Sequence, residues 1–345
     1  MPNNVSNGIN IIINEKRDLN EDEAYSALNE IMLGQAIDDE IASLLTCLAD
    51  KGESVSEING MAKVMQEQCL KIGQVEFPLL DTCGTGGAEI KTFNVSTASA
   101  FVASAAGANV AKHGNRAMTS KSGSADFLEA LGAKIDLDPN GVSQCLKNTG
   151  IGFMFAQSFH PAMKYVAHIR KSLGFRTIFN LLGPLTNPAQ ANCRILGTGS
   201  IELAEKMATA LTKMDIRHGL VVTGEEGIDE ISIMGKTHIF EIKNHELSSY
   251  FIHPSDFGLN TYDIKKVASK SPNENAEIFR NILSGNGPIE YLDFICINAG
   301  AALYTTGHAS SIAQGIDIAK TVIGNGDVAA KVAAFIDHTQ KNVSG

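Results

Sequence analysis

The sequence predicts an α/β protein in two parts: a small all-helical N-terminal domain, and a larger α/β domain with a mostly parallel central sheet flanked by helices. Three observations predict it. Helix-period apolar patterns follow one another from Asn20, with no phosphate-type motif among them. From Phe77 short apolar runs alternate with helical patterns, as when crossover helices join parallel strands. Two strand-to-helix junctions are rich in small polar residues, and such sheets bind ligands at the C-terminal ends of their strands.

Residues 1–14 are polar and then apolar, and are expected to be a loose tail. The helical domain is expected over 15–76. Asn20 can cap its first helix, with Glu23 three residues on and Gly34 after the end. Asp38 can open the second, with Ile41, Leu44, Leu45 and Leu48 inside and Gly52 as the stop. Ser54 or Ser56 opens the third, which carries Ile58, Met61, Val64 and Met65. The α/β domain is expected over 77–159 and 191–345. Its strands are expected at Leu79-Leu80, Val110-Ala111, Lys134–Leu137, Gly152–Phe155, Arg194–Gly197, Leu220–Thr223 and Phe294–Asn298. Ile231 to Ile252 reads as hairpin strands, and Asn94–Gly107, Ile201–Met214 and Gly326–Thr339 as helices.

A hydrophobic content of 44% and a charged content of 19% are ordinary for a globular protein that buries a large core. The formal net charge of -10 argues against nonspecific nucleic-acid binding, so a local basic loop stands out as a site. The six cysteines, at 47, 69, 83, 145, 193 and 296, show no Cys-x-x-Cys spacing and read as reduced thiols. No signal-type segment and no membrane-spanning run is visible, so a cytoplasmic protein is expected.

The first junction is Asp81-Thr82-Cys83-Gly84-Thr85-Gly86-Gly87-Ala88-Glu89, continuing to Asn94-Val95-Ser96-Thr97. Glycines let backbone N–H groups approach a ligand, and the helix that follows offers unpaired N–H groups and a favourable dipole to an anion. A Walker loop is excluded because Ile90 precedes Lys91, and a dinucleotide fingerprint because Glu89 stands where its third glycine belongs. A tight turn whose glycines only steer the chain fits this stretch equally well. The second junction weighs against that. Lys112, Arg116 and Lys121 lie within ten residues, among Gly114, Asn115, Thr119, Ser120, Ser122, Gly123 and Ser124. Charge-assisted hydrogen bonds contribute about 1.5–3 kcal/mol each, so several on one phosphate reach the roughly 8 kcal/mol of micromolar binding. A solvated basic loop seldom needs so many small residues beside its cations.

These residues resemble the anthranilate phosphoribosyltransferase family. The resemblance rests on Gly84-Thr85-Gly86-Gly87, Thr92-Phe93-Asn94-Val95-Ser96-Thr97, Lys112-His113-Gly114-Asn115-Arg116, Ser122-Gly123-Ser124-Ala125-Asp126, His160-Pro161 through Arg170 to Asn187-Pro188, and Gly227-Ile228-Asp229-Glu230. The blocks stand in the family's order and extend from about Asn20 into the C-terminal region. The resemblance implies transfer of a phosphoribosyl group from phosphoribosyl pyrophosphate to the amine of anthranilate, with Mg²⁺, two ions per active site. It also implies that residues 160–190 join the helical domain and that this domain forms a homodimer.

Roles carry over by position. Gly84, Gly87, Ala88, Thr92, Asn94, Val95, Ser96 and Thr97 would hold the pyrophosphate side of the donor. Lys112, His113, Gly114, Asn115, Arg116, Ala117, Met118, Thr119, Ser120 and Ser124 would hold the rest. Gly84, Asn115 and Arg170 would face anthranilate, Arg170 because a guanidinium matches a carboxylate bidentately. Glu230 would serve both metal sites, Asp229 one and Ser96 the other. His113 reads as positioning first, since a neutral aromatic amine needs no strong base, and no covalent nucleophile is expected. One departure matters. The family usually has Asp-Gly where Ala88-Glu89 stand, which implies altered Mg²⁺ dependence with retained activity. Pyrimidine nucleoside phosphorylases share the implied fold, but their Lys-Met-Ser-Gly block is absent. A nucleic-acid-binding relative should be basic and lack the Asp229-Glu230 pair.

Overall fold

The computed structural model describes residues 3–73, 75, 78–117 and 120–341. The chain opens with α1 (Asn4–Asn10), which runs into a π-helical turn, Ile11–Glu15. This corrects the loose tail expected over 1–14. Val5 and Ile11 are buried against the next helices, and Asn3 caps α1 by accepting the Ser6 N–H at 2.7 Å. Short polar stretches hide such a helix, because only two of its residues face the core.

Next come α2 (Glu21–Met32), α3 (Asp38–Lys51) and α4 (Val55–Gln68). The Asn20–Glu23 capping box forms, with bonds of 2.9 and 3.0 Å, and Ser54 with Glu57 builds a second one on α4. α3 begins at Asp38, but its cap residue Ile37 gives no side-chain bond.

The remaining elements alternate. They are β1 (Leu79–Gly84), α5 (Val95–Ala105), β2 (Asn109–Gly114), α6 (Ser124–Leu131), α7 (Pro139–Thr149) and β3 (Ile151–Phe155). The short helices α8 (Ala156–Phe159), α9 (Ala167–Leu173) and α10 (Phe179–Leu185) precede β4 (Cys193–Gly197), α11 (Ile201–Leu211) and β5 (His218–Gly224). The hairpin β6 (Thr237–Lys243) and β7 (Glu246–Ile252) follows, then α12 (Pro272–Leu283), α13 (Ile289–Thr306), α14 (Ile312–Gly324) and α15 (Asp327–Lys341). The seven strands lie in the order β3-β2-β1-β4-β5-β6-β7, parallel through β5 and antiparallel at β5–β6 and β6–β7.

Three expectations are corrected here. Phe294–Asn298 is not a strand but the middle of α13, a helix with nearly every residue buried, whose all-round apolar character erases the helical period. Lys134–Leu137 forms no strand, although Ile135 and Leu137 are buried. The strands expected at Leu79-Leu80 and Val110-Ala111 run on to Gly84 and Gly114. Asp81 to Gly84 and Lys112 to Gly114 are therefore strand, not loop.

Two apolar clusters cover the two faces of the sheet. One joins α1–α4 to Ile169, Leu181, Leu182, α11 and the sheet residues Leu196, Val221, Phe240 and Ile242. The other packs α5, α6, α12, α13 and α15 on the opposite face. Among the described residues no helix is long and apolar enough to cross a membrane.

Candidate active site at the strand switch point

The chain builds the sheet from β1 to one side through β2 and β3, then returns to add β4 and β5 on the other. The crevice beyond the C-terminal ends of β1 and β4 is thus the topological switch point, where open α/β sheets bind ligands. Gly84 and Gly197 face each other across it, and Thr85 N–H donates to Gly197 O at 2.9 Å. The loop after β5 folds over this crevice. A Cβ on Gly84 would lie 2.6 Å from Asp229 Oδ2, and one on Gly197 would overlap the Asp229 backbone. Both glycines are there because the acidic loop leaves no room for a side chain. Gly86 N–H donates to the Asp229 carboxylate, and Lys91 Nζ holds Gly86 O at 2.8 Å.

Asp229 and Glu230 are half-buried, and burial raises both carboxyls, Glu230 well above its usual value with Asp229 adjacent. Lys91 and Lys112 counter this only at longer range, and neither acid has an ion-pair partner among the described residues. Asn298 from α13 fixes the next residue, exchanging bonds of 3.0 Å with Ile231 N and O. Among the described residues no group of three or more His, Cys, Asp or Glu is arranged to hold a metal ion by itself. Two carboxylates without an ion-pair partner are the donor set Mg²⁺ takes when substrate phosphates complete its shell. The residues present therefore fit Mg²⁺.

Ser96 and Lys112 meet at the N-terminus of α5. Lys112 is buried, and its Nζ donates to Thr82 O and, at 3.1 Å, to Ser96 Oγ. Burial lowers its affinity for the proton, which Asp81 opposes. Lys112 is thus a brace between β1 and α5 rather than part of a solvated basic loop. Asp81 is itself buried, accepting from His113 N at 3.1 Å and Asn187 Nδ2 at 2.8 Å. Val95 and Thr97 are buried, and their N–H groups donate to Phe93 O at 2.6 Å and Asn94 O at 3.1 Å.

The second loop is organised by Asp126, whose Oδ2 accepts from Ala117 N at 2.8 Å and Gly123 N at 2.9 Å. Arg116 is exposed and forked onto Glu129 and Asp126, at 2.8 and 3.1 Å. Ser124 Oγ donates to Asn115 O at 3.3 Å, and Ser120 Oγ to Ser122 O at 3.2 Å. Met118 and Thr119 lie outside the described residues.

α10 connects this loop to Arg170. Its Gly183 O lies 3.2 Å from His113 Nδ1, and its Asn180 Oδ1 accepts from Arg170 Nη2 at 3.3 Å. The guanidinium rests over the Phe179 ring at 5.3 Å. Burial lowers the proton affinity of Arg170, and no carboxylate pairs with it among the described residues. Cys83 is half-buried and its thiol is pushed far up by desolvation with Asp81 nearby, so it is no nucleophile.

His113 and His160 sit ring to ring at 5.1 Å, each with a buried Nε2 lacking a hydrogen-bond partner. Burial lowers His113 to about 4 and His160 to about 3. Both are neutral at physiological pH, which suits a positioning role. An unfolded chain binds both protons near pH 6.5, so stability is full above that value and falls as pH drops toward 4. The expected slope approaches two protons, about 2.7 kcal/mol per pH unit, and should halve in His160→Gln. Denaturant melts at pH 4.5, 5.5 and 7 check this. A wild-type slope unchanged by the substitution contradicts it.

The structure brings together Gly84, Gly87, Ala88, Ser96, Asp229 and Glu230 around the crevice, with the second loop and α10 alongside. Sequence reasoning assigned no role to Asp81, Lys91, Asp126, Asn187, Gly197 or Asn298. Asp126 and Asn187 stand inside the blocks already singled out, and their place in those blocks was the available signal. Gly197 and Asn298 act across the fold and leave no local mark.

Comparisons with known proteins agree with this geometry. A model of a "glycosyl transferase family, helical bundle domain" matches residues 9–69, and one of a "glycosyl transferase family, a/b domain" matches 76–329. An anthranilate phosphoribosyltransferase of Herpetosiphon aurantiacus is 45% identical over 328 residues, covering 95% of this chain and 97% of that one. The crystal structure of the Thermus thermophilus enzyme superimposes with a TM-score of 0.91 at 37% identity, covering 98% and 100% of the two chains. The Saccharomyces cerevisiae enzyme in complex with PRPP and Mg gives 0.90 at 31% identity, over 98% of each. On these matches the chain belongs to the anthranilate phosphoribosyltransferase family, enzymes that transfer the 5-phosphoribosyl group of phosphoribosyl pyrophosphate (PRPP) to the amine of anthranilate.

Proposed function

We propose that the β1/β4 crevice is the PRPP site of this transferase. The observation that carries this is the convergence of Gly84, Gly197 and Asp229 at the switch point, beside an α5 with no side-chain cap. The N–H groups of Gly87, Ala88 and Ser96, without a backbone acceptor among the described residues, suit a pyrophosphate. Thr92, Asn94, Ser96 and Thr97 border it on the same side. Gly114 to Ser120 and Ser124 would hold the ribose 5-phosphate side, with Arg116 exchanging its carboxylate partners for phosphate. Asp229, Glu230 and Ser96 would hold Mg²⁺, two ions per site. When bound, Mg²⁺ neutralises charge on the departing pyrophosphate. Calorimetric titration with PRPP, with and without Mg²⁺, tests the site: stoichiometric binding strengthened by Mg²⁺ supports it, and no binding rejects it.

Anthranilate would lie toward α10, its carboxylate on Arg170 and its ring and amine near Asn115 and Gly84. Displacement at an anomeric carbon passes through an oxocarbenium-like transition state, so preorganised donors matter more than a base. His113 orients the loop, and its neutral ring withdraws no proton before attack. Arg170→Ala should raise KM for anthranilate about tenfold or more, a charged hydrogen bond's worth, with KM for PRPP unchanged. Initial-rate kinetics in both substrates check this, and an unaffected anthranilate KM sinks the assignment.

The Ala88-Glu89 pair bears on the metal. Ala88 is buried against Gly199 and Glu89 is exposed, so neither offers a carboxylate inside the crevice. Ala88→Asp should therefore change the Mg²⁺ concentration giving half-maximal rate. An unchanged Mg²⁺ profile would remove this residue from the metal's surroundings. The helical domain, residues 15–76 with about 160–190, is proposed as the surface of a homodimer, and the enzyme as cytoplasmic. The α/β domain would then be 77–159 with 191–345.

A further inference from the structure

Asn94 stands at the head of α5 but does not cap it. Its side chain is turned the other way. Oδ1 accepts from Ser122 Oγ at 2.8 Å and from Asn275 Nδ2 at 2.9 Å, and Nδ2 donates to Ser122 O at 3.0 Å. A side-chain amide oxygen has two lone pairs, and here both are taken. An asparagine in this position otherwise bonds the first N–H groups of its own helix. Thr97 N already donates to Asn94 O at 3.1 Å, so the Ser96 N–H is the group that is left open to a phosphate or to the Asn94 side chain.

Asn275 is fully buried in the first turns of α12, where an asparagine is neither a good helix former nor cheap to bury. Its Oδ1 accepts from Lys270 N at 3.3 Å, which fixes the direction of its Nδ2. The chain just before α12 is tied to the same stretch, Phe93 N to Val267 O and Ser269 N to Lys91 O, both at 2.8 Å. One strut from the C-terminal half thus sets the residues that lead from the glycine loop into α5.

We infer that Asn275 is a positioning residue for the donor substrate. With Ser122 it saturates Asn94 Oδ1, keeps α5 uncapped, and joins the two phosphate loops into one cradle. This rests on the reading of the β1/β4 crevice as the donor site. Losing either partner frees a lone pair, and Asn94 can then turn back to cap α5 in competition with phosphate.

The test measures affinity for inorganic pyrophosphate with Mg²⁺ by calorimetry, and KM for both substrates, in Asn275→Ala and Ser122→Ala. Each should weaken pyrophosphate binding and raise KM for PRPP about fivefold, one hydrogen bond's worth, with anthranilate KM within twofold of wild type. In an Asn94→Ala background, neither substitution should weaken binding further. Equal loss for both substrates, or an undiminished effect without Asn94, overturns the inference. If Asn275→Ala fails to fold, Ser122→Ala alone must still show the donor-selective loss. If the wild-type enzyme binds no pyrophosphate, the donor-site reading fails instead.

Discussion

Glu230→Gln is expected to lower kcat by about 10²-fold or more while leaving the melting temperature unchanged or raised. Removing one preorganised group that stabilises developing charge costs about 10²–10³ in kcat. On the proposed metal role Glu230 would act through the Mg²⁺ it holds, its half-buried carboxylate having Asp229 adjacent and no ion-pair partner among the described residues. Its charge burdens the folded protein, because burial raises the carboxyl well above its usual value. An isosteric amide removes that burden, so stability and activity should move in different directions. Saturating kinetics at several Mg²⁺ concentrations, beside calorimetric melts, separate the two. A kcat within threefold of wild type would take Glu230 out of the catalytic centre.

Gly197→Ala is the second large effect, and it reaches the same acids through the backbone. The new methyl group would overlap the Asp229 carbonyl, not a side chain that could swing aside. The strand cannot yield either, since Gly197 is paired with Gly84 on one side and Val222 on the other. The acidic loop must move. Overpacking of this kind costs about 1–3 kcal/mol, and displacement of reacting groups by roughly 1 Å costs about 10² in rate. Gly324→Ala is the control, because a Cβ there meets nothing within 4 Å and φ is not positive. It should leave both stability and rate near wild type. Wild-type activity in Gly197→Ala would show that the acids need not sit against β1 and β4.

Much of this site was legible because its donors cluster in sequence. Gly84 to Thr97 and Lys112 to Asp126 are two strand-to-helix junctions, and local composition marks them. The capping boxes at Asn20 and Ser54 were legible for the same reason, since a helix start needs only three or four consecutive residues. What escaped depends on distant partners. Asn275 acts on Asn94 from 181 residues away, and Asn298 on Ile231 from 67. The inner helix α13 escaped because burial on all sides replaces its period with a continuous apolar run. The loops were placed a few residues early because β1 and β2 continue through polar residues. Asp81, Lys112 and His113 are buried, with Lys112 Nζ bonded to Thr82 O and Asp81 to His113 N, so polar composition there does not mean loop.

The most direct test of the whole account is the loss of anthranilate fluorescence on mixing the purified enzyme with PRPP across a Mg²⁺ titration. The account predicts a loss that requires both PRPP and Mg²⁺ and that is slowed about 10²-fold or more in Glu230→Gln. No loss at any Mg²⁺ concentration, or an equal rate in Glu230→Gln, would contradict it.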